Sequence, residues 1–324
     1  MFESQFIQLI EGHLNDVEAT EFLMATTKEP VTGERLAFAA KALRQRMVVI
    51  DYPQPLLDTC GTGGDQQSTV NISTAAAIVL AAGGVKVAKH GNRAVSSSSG
   101  SSDVLSALGI VADLPIEGVV TCLEQANLGF IFAPRFHPRL KNLSQLRKQL
   151  GVPTVFNLLG PLCNPARVCW QILGVGRREH LRPMAEALVQ LNIERAVVVH
   201  GEPGLDEVSL HGATTVCLIH GSAITEQTWT QADFGYDRHE IDTIRCKDAS
   251  ESAQLIVSMF KDQEQLGTNW VFANVAVGLL IADQVKTLRD GVQRAEEVVR
   301  SGLALRKLEQ LRLLSAACCR PAAS

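Results

Sequence analysis

Residues 57–102 read LDTCGTGGDQQSTVNISTAAAIVLAAGGVKVAKHGNRAVSSSSGSS. Leu56-Leu57 has the character of a short buried strand, followed by a loop, Gly61-Thr62-Gly63-Gly64-Asp65. Ser73-Thr74 precede an apolar run, Ala75 to Ala82, and predict a helix with a hydroxyl cap at its start. Gly83-Gly84 stop that helix. Val85 to Ala88 predicts a second strand, Lys89 to Gly100 a second loop, and Ser101-Ser102-Asp103 the start of a second helix that runs through Leu108. Strand, loop and helix thus occur twice, which sets two helix N-termini side by side. Free N–H groups and the positive end of the helix dipole favour an anion there, phosphate above all. Glycine lets the main chain come close to such an anion. Thr69, Ser73, Thr74 and Ser96 to Ser99 supply hydroxyls, and Lys89 a point charge. Asp65 fits better beside a sugar hydroxyl or a metal-bound water. The alternative, a flexible Gly/Ser linker, sits poorly with runs this short, clamped between apolar segments.

Outward from this stretch, the 324 residues are 46% hydrophobic and 20% charged, with a formal net charge of −4. That is the composition of a globular chain. With no run of Lys and Arg, neither a nucleic-acid nor a membrane-surface partner is expected. Eight cysteines, at 60, 122, 163, 169, 217, 246, 318 and 319, form no C-x-x-C pair. They read as reduced thiols of a cytoplasmic protein. Glu3 and Glu11 interrupt the N-terminal region, so no secretory leader is expected.

Residues 2–50 predict helices, one starting at Asn15-Asp16 and running through Met24, another running from Thr32 through Met47. Pro53 and Pro55 end this small module. After it, helix is expected at Val119 to Asn127, strand at Leu128 to Ala133 and helix at Arg139 to Leu150. The turn Gly160 to Pro165 is a hinge candidate. Strand at Val168 to Gly176, helix at Glu179 to Leu191 and strand at Arg195 to His200 continue the alternation. Two strands, Thr214 to His220 and Ala223 to Trp229, meet at Gly221-Ser222. Helices at Ser250 to Gln265, Asn269 to Ala282 and Val285 to Leu314 follow, the last broken near Ser301-Gly302, before a frayed tail from Ala316. The pattern predicts an α/β fold: a small helical module plus a larger domain whose mainly parallel central sheet is flanked by helices.

Two further features carry chemistry. In the helix at 139–150, Leu140, Leu143, Arg147 and Leu150 share one face, so an arginine sits on an inward leucine stripe. It either pairs with a protein carboxylate or snorkels to the edge of the stripe, or it holds the carboxylate of a ligand. Asp206-Glu207 follows the tight turn at the end of the strand ending at His200. In α/β sheets ligands gather at such strand ends, where carboxylates suit Mg2+ on a phosphate ligand. The alternative is an ordinary solvated turn. His200 and His211 are given no role.

GTGGD, NIST, KHGNRAVSS and the later LDE, taken together, resemble the anthranilate phosphoribosyltransferase family from about Asn15 to about Leu311. The resemblance implies a nucleoside phosphorylase/phosphoribosyltransferase-like fold, with residues 1–52 and 137–162 as the helical domain and 53–136 with 163–324 as the α/β domain. It implies two substrates, phosphoribosyl pyrophosphate and anthranilate, a Mg2+ cofactor, a role in tryptophan biosynthesis and a homodimer. Gly61, Gly64, Asp65, Thr69, Asn71, Ile72, Ser73 and Thr74, with Lys89, His90, Gly91, Asn92, Arg93, Ala94, Val95, Ser96, Ser97 and Ser101, would contact the donor. Ser73, Asp206 and Glu207 would hold Mg2+. Gly61, Asn92 and Arg147 would meet anthranilate, with Arg147 on its carboxylate. Departures from the family pattern fall in the helical module, at Lys28 to Thr32 and at Arg139-Leu140. Alternatives sharing the architecture are a paralogue with another aromatic acceptor, a pyrimidine nucleoside phosphorylase and a non-catalytic nucleic-acid-binding relative.

Overall fold

The structure is a computed structural model that describes residues 2–65, 67–93, 100–263 and 266–319. Helices α1 (Phe2–Glu11), α2 (Asp16–Lys28) and α3 (Gly33–Arg44) come first. The side chain of Asn15 caps α2, and Glu18 answers it from the third helical position. Thr32 caps α3. Strand β1 (Leu57–Gly61) leads through the glycine loop into α4 (Ile72–Ala82), and β2 (Val87–Gly91) leads towards α5 (Ser101–Ala107). Next come α6 (Ile116–Ala126), β3 (Leu128–Phe132) and a single turn, α7 (Ala133–Phe136). Helix α8 (Lys141–Leu150) and the short α9 (Phe156–Leu159) return to the helical module. Then β4 (Trp170–Gly174), α10 (Leu181–Gln190), β5 (Arg195–Gly201), β6 (Thr214–His220) and β7 (Ala223–Trp229) complete the sheet. Helices α11 (Ala249–Phe260), α12 (Leu266–Ile281), α13 (Leu288–Arg300) and α14 (Leu303–Cys318) close the chain.

The seven strands lie in the order β3-β2-β1-β4-β5-β6-β7. The first five are parallel, and β6 and β7 are antiparallel additions. Strand order reverses between β1 and β4, the place where ligands collect in open α/β sheets. Alternation along the strands feeds two cores. Leu57, Val87, Ile172, Val197 and Val216 pack under α4 and the C-terminal helices. Leu173, Val198 and Cys217, one residue on, pack against α10 and the helical module, whose Phe6, Leu23 and Leu36 share that core.

The structure moves several boundaries. The strands β1 and β2 run to Gly61 and Gly91, so Lys89 lies within a strand and not in a loop. Helix α4 begins at Ile72, capped by Asn71, because Ile72 is wholly buried and pulls the start three residues earlier than the expected Ala75. Helix α5 is capped from Gly100, and the Asp103 carboxylate accepts the Gly100 N–H at 3.0 Å. The last long helix does break at Ser301-Gly302, where Gly302 takes φ +73°. The helix α14 continues through Cys318 instead of fraying at Ala316.

Candidate active site

The carboxyl ends of β1, β2 and β3 and the loop after β5 open into one cavity of 860 Å³, bounded by α8 and α9. Its floor is built by close approach. A Cβ on Gly174 would fall inside the Asp206 carbonyl, and one on Gly61 would collide with the Asp206 carboxylate. Glycine at both strand ends therefore lets the loop after β5 lie flat across β1 and β4. Gly63 and Gly64 take φ +65° and +77°, a left-handed pair that turns the loop back on itself. The Gly63 N–H donates to Asp206 Oδ2 at 2.8 Å. On the other side, Asn274 of α12 accepts the Val208 N–H at 3.1 Å and fixes the segment just past Glu207.

The N-terminus of α4 is occupied differently from the sequence expectation. The Ser73 N–H donates to Glu207 Oε1 at 3.0 Å, the Thr74 N–H to Asn71 Oδ1 at 3.1 Å, and the Ile72 N–H to the Val70 carbonyl at 2.7 Å. The first turn thus holds a protein carboxylate, and its N–H groups are not free for a phosphate. The helix dipole still acts, on Glu207. Beside this turn stands Lys89, 3% exposed, whose ammonium bonds the Thr59 carbonyl and donates to Ser73 Oγ at 3.1 Å.

Three acids converge here. Burial, and then the neighbouring Asp206, raises Asp65 to about 7; burial and Asp206 raise Glu207 to about 8. Asp206 is also raised, chiefly by burial, and shares a hydrogen bond with Asp65. Carboxylates crowded in this way release their protons at a higher pH than isolated ones. Among the described residues no three His, Cys, Asp or Glu side chains are spaced as a complete metal cage. Mg2+ does not need one: one or two carboxylates with substrate phosphates and water suffice. The oxygen-only donor set of Ser73, Asp206 and Glu207 fits that ion.

Across the cavity, Arg147 of α8 stands over the Phe156 ring, 5.5 Å from guanidinium carbon to centroid. It donates to Asn157 Oδ1 at 3.2 Å. Among the described residues no carboxylate lies within ion-pair distance, which removes the salt-bridge alternative. Burial alone lowers its pKa. A guanidinium with only a neutral partner, aimed into a cavity, is set for an anionic ligand. His90 and His137, ring centroids 5.3 Å apart, border the same cavity. His90 Nδ1 is 3.1 Å from the Gly160 carbonyl, and both rings leave Nε2 buried without a partner. Burial pushes His90 down to about 3 and His137 to about 4, so both rings are neutral.

Gly61, Gly64, Asp65, Thr69, Asn71, Ile72, Ser73, Lys89, His90, Gly91, Asn92, Arg93, Ser101, Arg147, Asp206 and Glu207 all border this cavity. Thr74 does not: it is fully buried in α4 and its hydroxyl has no partner among the described residues. Ala94, Val95, Ser96 and Ser97 lie outside the described residues. His200, 2.8 Å from the Val175 carbonyl, and His211 lie away from the cavity. Sequence reading missed His137, Phe156 and Asn157. His137 had a signal, since it lies in the segment after β3, at a strand end where ligands collect, but Phe156 and Asn157 sit in an apolar run that marks only core.

The glycosyl transferase family, a/b domain, matches residues 53–305. An anthranilate phosphoribosyltransferase of Petrotoga mobilis is 40% identical over 310 residues, 95% of this chain and 90% of its own. The crystal structure of anthranilate phosphoribosyltransferase from Thermus thermophilus superposes with a TM-score of 0.90 at 38% identity, covering 97% of this chain and 94% of that one. The enzyme from Saccharomyces cerevisiae in complex with PRPP and Mg gives 0.87 at 33% identity, covering 96% and 91%. It is also known in complex with 4-fluoroanthranilate. The chain belongs to the anthranilate phosphoribosyltransferase family, within the glycosyl transferases with an a/b domain.

Proposed function

We propose that the chain transfers the 5-phosphoribosyl group of phosphoribosyl pyrophosphate to the amine of anthranilate and releases pyrophosphate, a step of tryptophan biosynthesis. The observation that carries this reading is the polarity of one cavity. An acid-and-lysine crevice lies at the sheet switch point, and an arginine with no acid partner among the described residues stands over an aromatic ring on the opposite wall. The first suits a metal-complexed pyrophosphate, the second a flat aromatic carboxylate.

The donor sits along the loops after β1 and β2, with Lys89 and Ser73 beneath its pyrophosphate. Asp206, Glu207 and Ser73 would hold Mg2+, which when bound supplies positive charge to the leaving pyrophosphate. Arg147 takes the anthranilate carboxylate in its planar fork, and Asn157 sets the tilt of that fork. The neutral rings of His90 and His137 line the path between, where an imidazolium would repel the positive charge developing at the ribose carbon. Nucleophile and sugar are held together, and the barrier falls by positioning and by stabilisation of the leaving group.

In this reading, residues 1–52 and 137–162 form the acceptor-side unit, and 53–136 with 163–324 the donor-side unit. The protein works in the cytoplasm as a homodimer. No helix among the described residues is long and apolar enough to cross a membrane. The test is anthranilate fluorescence in a mixture of protein, phosphoribosyl pyrophosphate and Mg2+. The expected result is a loss of signal that needs all three and stops with chelator. Undiminished fluorescence, with donor binding intact by calorimetry, would assign a different acceptor.

A further inference from the structure

Strand β1 pairs with β4 along all of Leu57–Gly61, and β2 pairs with β3 along all of Val87–Gly91. Between β1 and β2, however, the ladder is confined to Leu57 and Val87. Beyond that point the main-chain ladder stops, and side chains take over the main-chain groups left between the two strands. Asp58 Oδ1 accepts the His90 N–H at 3.1 Å. Asn164 Nδ2 donates to the Ala88 carbonyl and to Asp58 Oδ2, both at 2.8 Å. Lys89 Nζ donates to the Thr59 carbonyl. Asp58 and Asn164 are 0% and 1% exposed, and neither borders the cavity.

A continuous ladder would satisfy the same groups without burying a carboxylate, which is costly unless fully hydrogen-bonded. The wedge is therefore an expense in stability, and what it secures is geometry. It bridges β1 and β2 where their ladder stops. Alternation along β2 puts Lys89 on the face towards Ser73 and His90 on the face towards Gly160, and the wedge fixes the strand that carries both. Asn164 belongs to the segment that carries Gly160 and Pro161, and the Pro161 carbonyl is held by Gln171 Nε2 at 2.7 Å. One buried cluster thus fixes both walls of the cavity from behind.

We infer that Asp58 and Asn164 are positioning residues, a wedge between β1 and β2 that sets the place of Lys89 on the pyrophosphate side and of His90 on the acceptor side without touching either substrate. The inference deepens the proposed reaction and rests on the same cavity. Its sign separates it from a simple field effect. Removing the negative charge of Asp58 behind Lys89 would by Coulomb's law alone tighten an anion, whereas losing the wedge weakens it.

The test is calorimetry of inorganic pyrophosphate with Mg2+ on the full chain, with turnover measured in parallel. Asp58→Asn keeps the shape but turns an amide N–H towards one of its two N–H donors. Asn164→Ala removes the other member. Each is expected to weaken pyrophosphate about tenfold, the scale of one charge-assisted hydrogen bond, and to lower kcat. The double variant should be no worse than the weaker single variant, since both act through one link. Ser315→Ala, which removes a buried acceptor of the Val111 N–H, should lower Tm and leave pyrophosphate affinity alone. Unchanged or tighter pyrophosphate in a folded single variant, or additive losses in the double, overturns the wedge. Failure of both single variants to fold overturns it too, leaving a purely structural role. If the wild type binds pyrophosphate but spares anthranilate, the acceptor assignment fails, and the ratio of variant to wild-type affinity still decides the wedge.

Discussion

Arg147 and Lys89 bring the same charge into one cavity by different means. Lys89 is pinned from a strand between a carbonyl and a hydroxyl. Arg147 projects from a helix onto a ring and is steadied by a single amide. The fixed one suits an anion that always arrives in the same pose, and the tethered one suits a carboxylate that must be gripped and released. Arg147→Ala should raise the KM for anthranilate by roughly 10- to 100-fold, the equivalent of about 1.5–3 kcal/mol for a hydrogen bond to a charged group. The KM for the donor should stay near wild type. Steady-state kinetics with each substrate varied in turn will show it, and equal shifts in both constants would remove Arg147 from the acceptor. The stripe Leu140, Leu143, Arg147, Leu150 made this arginine legible in the sequence. What the stripe could not say was which anion it awaits, because the absence of a protein carboxylate is a property of packing. Asp206→Asn with Glu207→Gln should abolish turnover at ordinary Mg2+, and wild-type-like rates in that double variant would dismiss the acids as metal ligands.

At the level of elements, α4 shows how a cap and a site compete for the same groups. The sequence N-I-S-T offers three capping side chains in four residues, and only the burial of Ile72 selects Asn71. That choice leaves the Ser73 N–H for Glu207. Asn71→Ala should cost about 1 kcal/mol, the usual worth of an N-cap, seen as a lower urea midpoint at unchanged slope. Ser73→Ala should leave that midpoint nearly where it was and impair donor binding instead. A larger stability loss from Ser73 than from Asn71 would mean the cap has been placed at the wrong residue. The strands were read too short at their carboxyl ends for a related reason. Cys60-Gly61 and Lys89-His90-Gly91 look like loop by composition, yet they are strand because the parallel neighbours β4 and β3 pair with them to the last residue. By contrast, β6 and β7 fall where the alternation and the Gly221-Ser222 turn put them, since a hairpin is set by local signals.

For the molecule as a whole, the neutral pair His90 and His137 makes stability depend on acid. Both pKa values lie below the ordinary 6.5, at about 3 and about 4. Between about 6.5 and 4 the unfolded chain binds protons that the folded chain refuses, so stability from this pair is complete above 6.5 and is lost as pH falls. Each ring should cost roughly 2 kcal/mol by about pH 5, at about 1.36 kcal/mol per pH unit. The raised Asp65 and Glu207 act in the opposite direction, favouring the folded state as pH falls. The comparison is therefore between wild type and His137→Asn, by urea denaturation at about pH 7 and about pH 5. The variant should lose less on acidification, and an equal loss would show that His137 takes up its proton in the folded state. The fold class was legible at this scale from the repeated strand-loop-helix unit and the later alternation. The merging of the helical module with one face of the sheet was not, because Leu173, Val198 and Cys217 carry no mark of what covers them.

The order in which the site is assembled has a consequence for synthesis. The glycine loop and α4 leave the ribosome early, but the groups that hold them come late. Asp206 takes the Gly63 N–H, Ser252 takes the Asn71 N–H at 3.0 Å, and Asn274 fixes the acidic segment. At about 5–20 residues per second, the roughly 200 residues between Asn71 and Asn274 take on the order of 10–40 s to emerge. Throughout that interval Leu57, Val87 and the almost wholly apolar α4 have no α12 to lie against. A nascent chain should therefore need its β1 and α4 shielded until α12 emerges, and a chain cut short before α12 is expected to be insoluble and inactive in an expression trial.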